Sequence, residues 1–187
     1  MEIHKLIISI WKKEKLPEEW KESIIVPIHK KGIKRIVIFI GAYHFFPATY
    51  KILSNILSRL IPYAKEIIGD NQFGFRHNRS TINHIFCIHQ ILEKKWEYNE
   101  GVHQFFIDFK KAYDSVRREV LYKNLIEFCI PRKVVSLIKM SLTDTYSRVR
   151  VGKNVSDRFP IRNGLKQGDA QSPVLFKFAL EYAFRRV

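Results

Sequence analysis

A carboxylate at the end of a buried strand is a natural place to hold a divalent cation. Phe105-Phe106-Ile107 runs directly into Asp108. Strand ends open a sheet toward solvent, and hard cations prefer carboxylate oxygen. Asp108 also has a local reading, as the residue that begins a turn and caps the next helix. Asp114 reads as a turn or cap acid. A second feature runs from Asn163 to Pro173 as Asn-Gly-Leu-Lys-Gln-Gly-Asp-Ala-Gln-Ser-Pro. Two glycines ahead of a helix let backbone and amide groups approach a nucleotide closely, or mark only a turn and a cap. Lys30 and Lys31 beside Gly32 can grip a phosphate at a hairpin tip, the plain alternative being a solvated pair. His84, Cys87 and His89 can all ligate metal, but helical spacing turns His89 away from the other two and no fourth ligand is evident. A zinc site is not expected.

Elements that would position these groups follow from periodicity. Apolar residues at 3, 6, 7, 10 and 11 predict a first helix, which Pro17 stops. Ser23 to Ile28 is rich in β-branched residues and predicts a strand, with a return strand over Ile36 to Ile40. Pro47 suits the first turn of a helix whose stripe is Ile52, Leu53, Ile56, Leu57, Leu60 and Ile61. Ser80 or Thr81 caps a further helix through Ile85, Ile88, Ile91, Leu92 and Trp96, closed by Asn99-Glu100-Gly101. His103 to Phe109 reads as a buried strand, followed by helices over Arg117 to Phe128 and Pro131 to Leu142. Tyr146 to Val151 alternates as an exposed strand does, Gly152 to Asn154 turns it, and Val155 to Ile161 returns. A last helix runs from Pro173 to Phe184. The order predicts an α/β (α+β) fold in which the strand bearing Asp108 lies in a small sheet covered on one face by the last three helices.

The composition narrows the function classes. At 187 residues, 46% hydrophobic and 13% aromatic, the chain can bury a sizeable core, which excludes fibrous and disordered readings. Its 33 Lys and Arg against 18 Asp and Glu give a net charge of +15. A field of that sign concentrates phosphates, so the expected partner is a polyanion. Cys87 and Cys129 are too few for a disulfide framework, so the chain is expected to be intracellular, in nucleus or cytoplasm, without a disulfide-linked partner. The longest apolar run, Ile36 to Phe46, is interrupted by Gly41 and His44 and falls short of the ~20 residues of a membrane helix, so no membrane partner is expected. Neither a signal peptide nor an internal domain boundary is visible.

Taken in order, five segments resemble the reverse transcriptase domain of non-long-terminal-repeat (LINE-type) retrotransposons. They are Ser23 to Gly32, Pro47 to Leu60, Gln72 to Arg76 with Arg79-Ser80-Thr81, the motif ending in Asp108, and Gly164 to Pro173. The resemblance implies a right-hand polymerase fold, with residues about 20–100 as fingers and about 101–187 as part of the palm. It implies an RNA-directed DNA polymerase that uses Mg²⁺, or Mn²⁺, an RNA template, a DNA primer and dNTPs. Asp108 would then be a metal-binding catalytic carboxylate with the Phe109 carbonyl near a metal, and Tyr113 an aromatic gate beneath the incoming sugar. Gln167 and Gly168 would pack against the nascent base pair, Lys30 would lie near the triphosphate, and Arg76 and Arg79 would handle template.

Three departures bear on activity. The family's Tyr-x-Asp-Asp hairpin, which supplies the second metal-binding carboxylate, is not reached by Val187, nor is the thumb. Two-metal transfer needs carboxylates from both elements, so the 187-residue chain is expected to be inactive by itself. Ungapped spacing puts Gly41 at the position of a triphosphate-contacting arginine, which predicts weakened dNTP binding. Ala170 and Gln171 stand where the family has proline or a small residue and then leucine, and a glutamine at a buried helix entry needs partners. Together these predict a truncated, degenerate copy of a transposable element, the alternative to a polymerase being a catalytically dead nucleic-acid-binding remnant.

Overall fold

The computed structural model describes residues 2–29, 40–59, 64–69, 72, 74 and 78–186. Helix α1, Glu2–Lys13, places Glu2 in its first turn and Lys12 and Lys13 in its last, complementing the helix dipole, and it buries Ile10. Pro17 precedes a single 3₁₀ turn, Glu18–Trp20, whose tryptophan is buried.

Strand β1, Glu22–His29, is the centre of the sheet. One edge pairs antiparallel with β2, Ile40–Phe45, in a register that sets Ile24 opposite Phe45 and Gly41 opposite Ile28. Of the return strand expected over Ile36 to Ile40, Ile40 lies in β2, and Ile36 to Phe39 fall outside the described residues. The other edge of β1 pairs parallel with β3, Thr145–Val151, from Glu22 opposite Tyr146 to Ile25 opposite Val149. Buried Ser23 and Ser147 share a 2.7 Å hydroxyl contact across this pair, so a polar pair sits where packing alone would favour apolar residues. Two short strands, β4 (Asn154–Val155) and β5 (Phe159–Ile161), close on the far edge of β3.

Helix α2, Ala48–Arg59, follows Pro47 as expected, and one short helix, α3, spans Ala64–Ile67. Of the expected α2 stripe, Leu53 and Leu57 are buried with Tyr50, whereas Ile52 remains 39% exposed; Leu60 and Ile61 lie outside the described residues. Helix α4, Thr81–Glu97, begins with a reciprocal capping box in which Ser80 and Asn83 satisfy each other's backbone amides. No residue of α4 is buried, so its apolar stripe through Ile85, Ile88 and Ile91 faces away from the described core.

Helices α5 (Arg118–Glu127), α6 (Arg132–Leu142) and α7 (Ser172–Phe184) form the main core around Leu121, Leu125, Ile138, Leu142, Leu175 and Phe178. Burying each such side chain is worth roughly 1.5–3 kcal/mol. A second cluster joins Ile10, Leu16, Trp20, Phe46, Tyr50, Leu53 and Leu57 to Leu137, which makes α6 the wall shared by both.

One expectation is overturned. Residues His103 to Phe109 form no strand, and Phe105 and Phe106 are 87% and 82% exposed. The sheet is built instead from 22–29, 40–45, 145–151, 154–155 and 159–161, so Asp108 does not lie at a strand end. An apolar run becomes a strand only where its amides and carbonyls find a ladder partner, and no described strand lies beside this one.

Candidate functional site

Residues Lys110 to Ser115 form consecutive turns, with the Ser115 amide donating to the Lys111 carbonyl at 2.9 Å. The loop ahead of α7 docks onto those turns, because the Gly164 amide donates to Val116 O and the Leu165 amide to Tyr113 O, both at 3.0 Å. Gly164 has φ +80°, and a Cβ there would lie 3.0 Å from the Asp114 Cα and 3.1 Å from the Tyr113 carbonyl. Gly164→Ala is therefore expected to cost about 3 kcal/mol, from left-handed strain plus displacement of backbone that cannot swing aside. Urea unfolding at constant m-value checks it.

Past Leu165 the chain makes a tight turn. The Asp169 amide donates to the Lys166 carbonyl at 3.2 Å, and Gly168 at φ +91° occupies the third position, where such a turn needs a positive φ. Gln167 and Gly168 are exposed at its tip, while Lys166 and Asp169 at its two ends are each only 4% exposed. The tip forms one wall of a cleft of about 510 Å³, the opposite wall being Lys51, Ser54 and Asn55 of α2, with Tyr113 also in the lining. Tyr113 is half-buried, which raises its hydroxyl pKa, and its ring packs edge-on to Phe176 at 5.4 Å.

Beneath the cleft lies a polar floor. The Asp169 carboxylate accepts from the Tyr50 hydroxyl at 2.7 Å, from the Ser54 hydroxyl, and from the Gln171 amide at 3.1 Å. Gln171 Nε2 lies 3.0 Å from Ser141 Oγ, and the Lys166 ammonium donates to the Ser141 carbonyl at 3.1 Å. The same ammonium sits 4.7 Å over the Tyr50 ring and 5.2 Å over the Phe46 ring. Burial pushes the Lys166 pKa down to about 8 against the pull of Asp169, and it raises that of Tyr50 well above the ordinary tyrosine value.

The match to known proteins fits these segments. Residues 28–187 match the family described as Reverse transcriptase (RNA-dependent DNA polymerase). The chain belongs to the reverse transcriptase family. It is 27% identical over 173 residues to the probable RNA-directed DNA polymerase from transposon BS of Drosophila melanogaster, covering 86% of this chain and 18% of that protein. It is 35% identical over 81 residues to the retrovirus-related Pol polyprotein from type-1 retrotransposable element R2 of Popillia japonica, covering 43% and 13%. A third relative, the Transposon TX1 uncharacterized 149 kDa protein of Xenopus laevis, is 22% identical over 181 residues, covering 96% and 14%. The chain thus spans less than a fifth of the length of these curated relatives.

Of the residues expected to act in this reverse transcriptase domain, Tyr113, Gln167 and Gly168 come together in the cleft. Phe109 does not line it; its ring packs edge-on to Phe176 at 6.0 Å and lines an adjacent groove of about 340 Å³ on α7. Asp108 is exposed on the irregular segment and is absent from the cleft lining. Arg79 is exposed just before the Ser80 cap, while Lys30 and Arg76 lie outside the described residues. A divalent cation needs several hard oxygen donors, and among the described residues no three His, Cys, Asp or Glu side chains gather to provide them. Asp108 alone does not fit such an ion. No described helix is long and apolar enough to cross a membrane.

Sequence reasoning missed Lys51, Ser54 and Asn55, although their spacing of three and four residues marks a polar stripe beside the buried one on α2. It assigned no role to Asp169. Gln171, which the sequence resemblance marks as a departure, is fully buried and does find partners for its amide nitrogen; its Oε1 has none among the described residues.

Proposed function

We propose that this chain supplies fingers (about residues 20–100) and part of the palm (about 101–187) of an RNA-directed DNA polymerase, holding RNA template, DNA primer and an incoming deoxynucleotide. The observation that carries this reading is the convergence of Tyr113 with Gln167 and Gly168 in one cleft, since they come from segments far apart in the chain. In this reading the Tyr113 ring lies beneath the sugar, where it disfavours a 2′-hydroxyl by contact, and Gln167 and Gly168 pack against the base. Lys30 would contact the triphosphate, Arg76 and Arg79 would handle template, and Asp108 with the Phe109 carbonyl would supply one part of a metal site. The net charge of +15 supports phosphate contacts along the nucleic acid.

A second reading, a nucleic-acid-binding remnant without chemistry, is favoured by Asp108, which is exposed and belongs to no group of three metal-capable side chains among the described residues. Residues 1–187 by themselves are therefore expected to bind a primer–template but not to extend it. The assay is primer extension on RNA with Mg²⁺ or Mn²⁺, beside Asp108→Ala, with oligonucleotide affinity measured at about 50 and about 200 mM salt. No extension is expected, and affinity should drop at least tenfold across that salt range. Extension that disappears in Asp108→Ala would refute the inactive reading, and salt-independent affinity would refute the nucleic-acid reading.

A further inference from the structure

We infer that Asp169 and Tyr50 are positioning residues that lock the two walls of the cleft into one unit, fixing the Gln167–Gly168 tip relative to α2. The inference rests on the proposal that this cleft takes a deoxynucleotide. Its basis is the placement of the anchors. The exposed tip is bracketed by two buried charged side chains, and both reach Tyr50: Asp169 through the 2.7 Å hydroxyl bond, Lys166 through its ammonium 3.5 Å from the same hydroxyl and over the ring. Tyr50 is 1% exposed and packs in the second core against Phe46 at 5.2 Å and Trp20 at 6.4 Å, so it is itself held rigidly. Ser54, one turn further along α2, donates to the other carboxylate oxygen and also lines the cleft. The Ser172 hydroxyl adds a 2.7 Å bond to the Lys166 carbonyl, tying the turn to the start of α7.

The chemistry of the floor favours positioning over stability as its role. Two buried charges are weak evidence for stability, because removing them from water costs about as much as their attraction returns. Directional bonds donated by two hydroxyls to one carboxylate, by contrast, define a distance and an angle that apolar packing does not. A bound nucleotide between the walls would otherwise have to order the loop as it bound, which weakens affinity.

The test titrates dTTP into the full chain and follows the backbone amide resonances of Gln167 and Gly168. Wild type should show saturable shifts. Asp169→Asn and Tyr50→Phe should each weaken dTTP binding about tenfold, the size expected for one charge-assisted hydrogen bond. The double variant should lose less than the sum of the two single losses, because the Tyr50 hydroxyl's bond to residue 169 is common to both changes. Tyr50→Phe keeps the ring and its packing, so it decides the matter if Asp169→Asn fails to fold. Wild-type affinity in Tyr50→Phe, or additive losses in the double variant, would overturn the positioning role while leaving the nucleotide cleft standing. Absence of any shift in the wild-type protein would instead overturn the cleft reading on which this one depends.

Discussion

Arg118→Ala is expected to lower the unfolding free energy by about 4 kcal/mol, which makes it the most damaging single substitution considered. The guanidinium is 6% exposed and meets backbone carbonyls in place of an acid. Its Nε donates to Gly164 O at 2.8 Å, one terminal nitrogen to Leu142 O and to Ile161 O at 3.1 Å, and the other to Asn163 O at 3.3 Å. These carbonyls belong to the end of α6, the end of β5 and the loop that docks on Tyr113. Burial lowers the arginine pKa, a sign that the site is short of water. Alanine would take a donor from four carbonyls, of which Leu142 O keeps the Thr145 hydroxyl at 3.3 Å, and each one left without a donor costs about 1–3 kcal/mol less whatever water enters the space. Arg118→Lys should recover only part of the loss, since one ammonium cannot reproduce the planar fork. Urea unfolding of the two variants checks both statements, and a loss below about 1 kcal/mol for alanine would show that water replaces the arginine without penalty.

The second large effect is a rise of stability with pH between about 8 and about 10, opposite to what alkali does to most proteins. Lys166 has a folded pKa of about 8 against 10.5 for an ordinary lysine. Between those values the unfolded chain binds more protons than the folded one, so the unfolding free energy increases as pH rises. At 1.36 kcal/mol per unit the full window is worth about 3 kcal/mol, and below pH 8 the folded protein carries that penalty in full. Two tyrosines then reverse the trend. Tyr50 is raised well above 10 and Tyr122 to about 12, both chiefly by burial, so above pH 10 the unfolded chain ionises first and stability falls. The expected curve has a maximum near pH 10. Thermal or urea unfolding across pH 7 to 11 measures it, and Lys166→Met should remove the rise without removing the fall. A wild-type curve flat from 8 to 10 would mean that the ammonium is hydrated in solution.

Local signals in the sequence were enough for much of the helical framework. Ser80 caps α4, the proline at 131 precedes α6, and Gly152 turns β3 back, because each depends on the intrinsic geometry of one or two residues and their nearest neighbours. The apolar stripe of α4 was also legible as a stripe, but periodicity reports that a face exists and says nothing about whether the described chain covers it. Phe105 to Ile107 is the same lesson in strand form: β-prone, apolar, and paired with no described strand.

For the site, residue types and order carried the family, and with it Tyr113, Gln167 and Gly168 as one group. They could not carry the floor beneath it. Lys166 and Asp169 look like ordinary surface charges in the sequence, and Tyr50 like one more aromatic in a helix; their meeting depends on α2 lying against the loop before α7, a contact across more than a hundred residues. The same holds for the parallel pairing of β1 with β3 and for the carbonyls gathered by Arg118. The amino-acid sequence by itself determined the family, the basic character and most helices, because those reside in composition, motif and short-range backbone preference. Only the tertiary structure decided which charges are buried, which apolar faces stay exposed and what holds the cleft in shape, because burial and hydrogen-bond partnership are set by which distant segments meet.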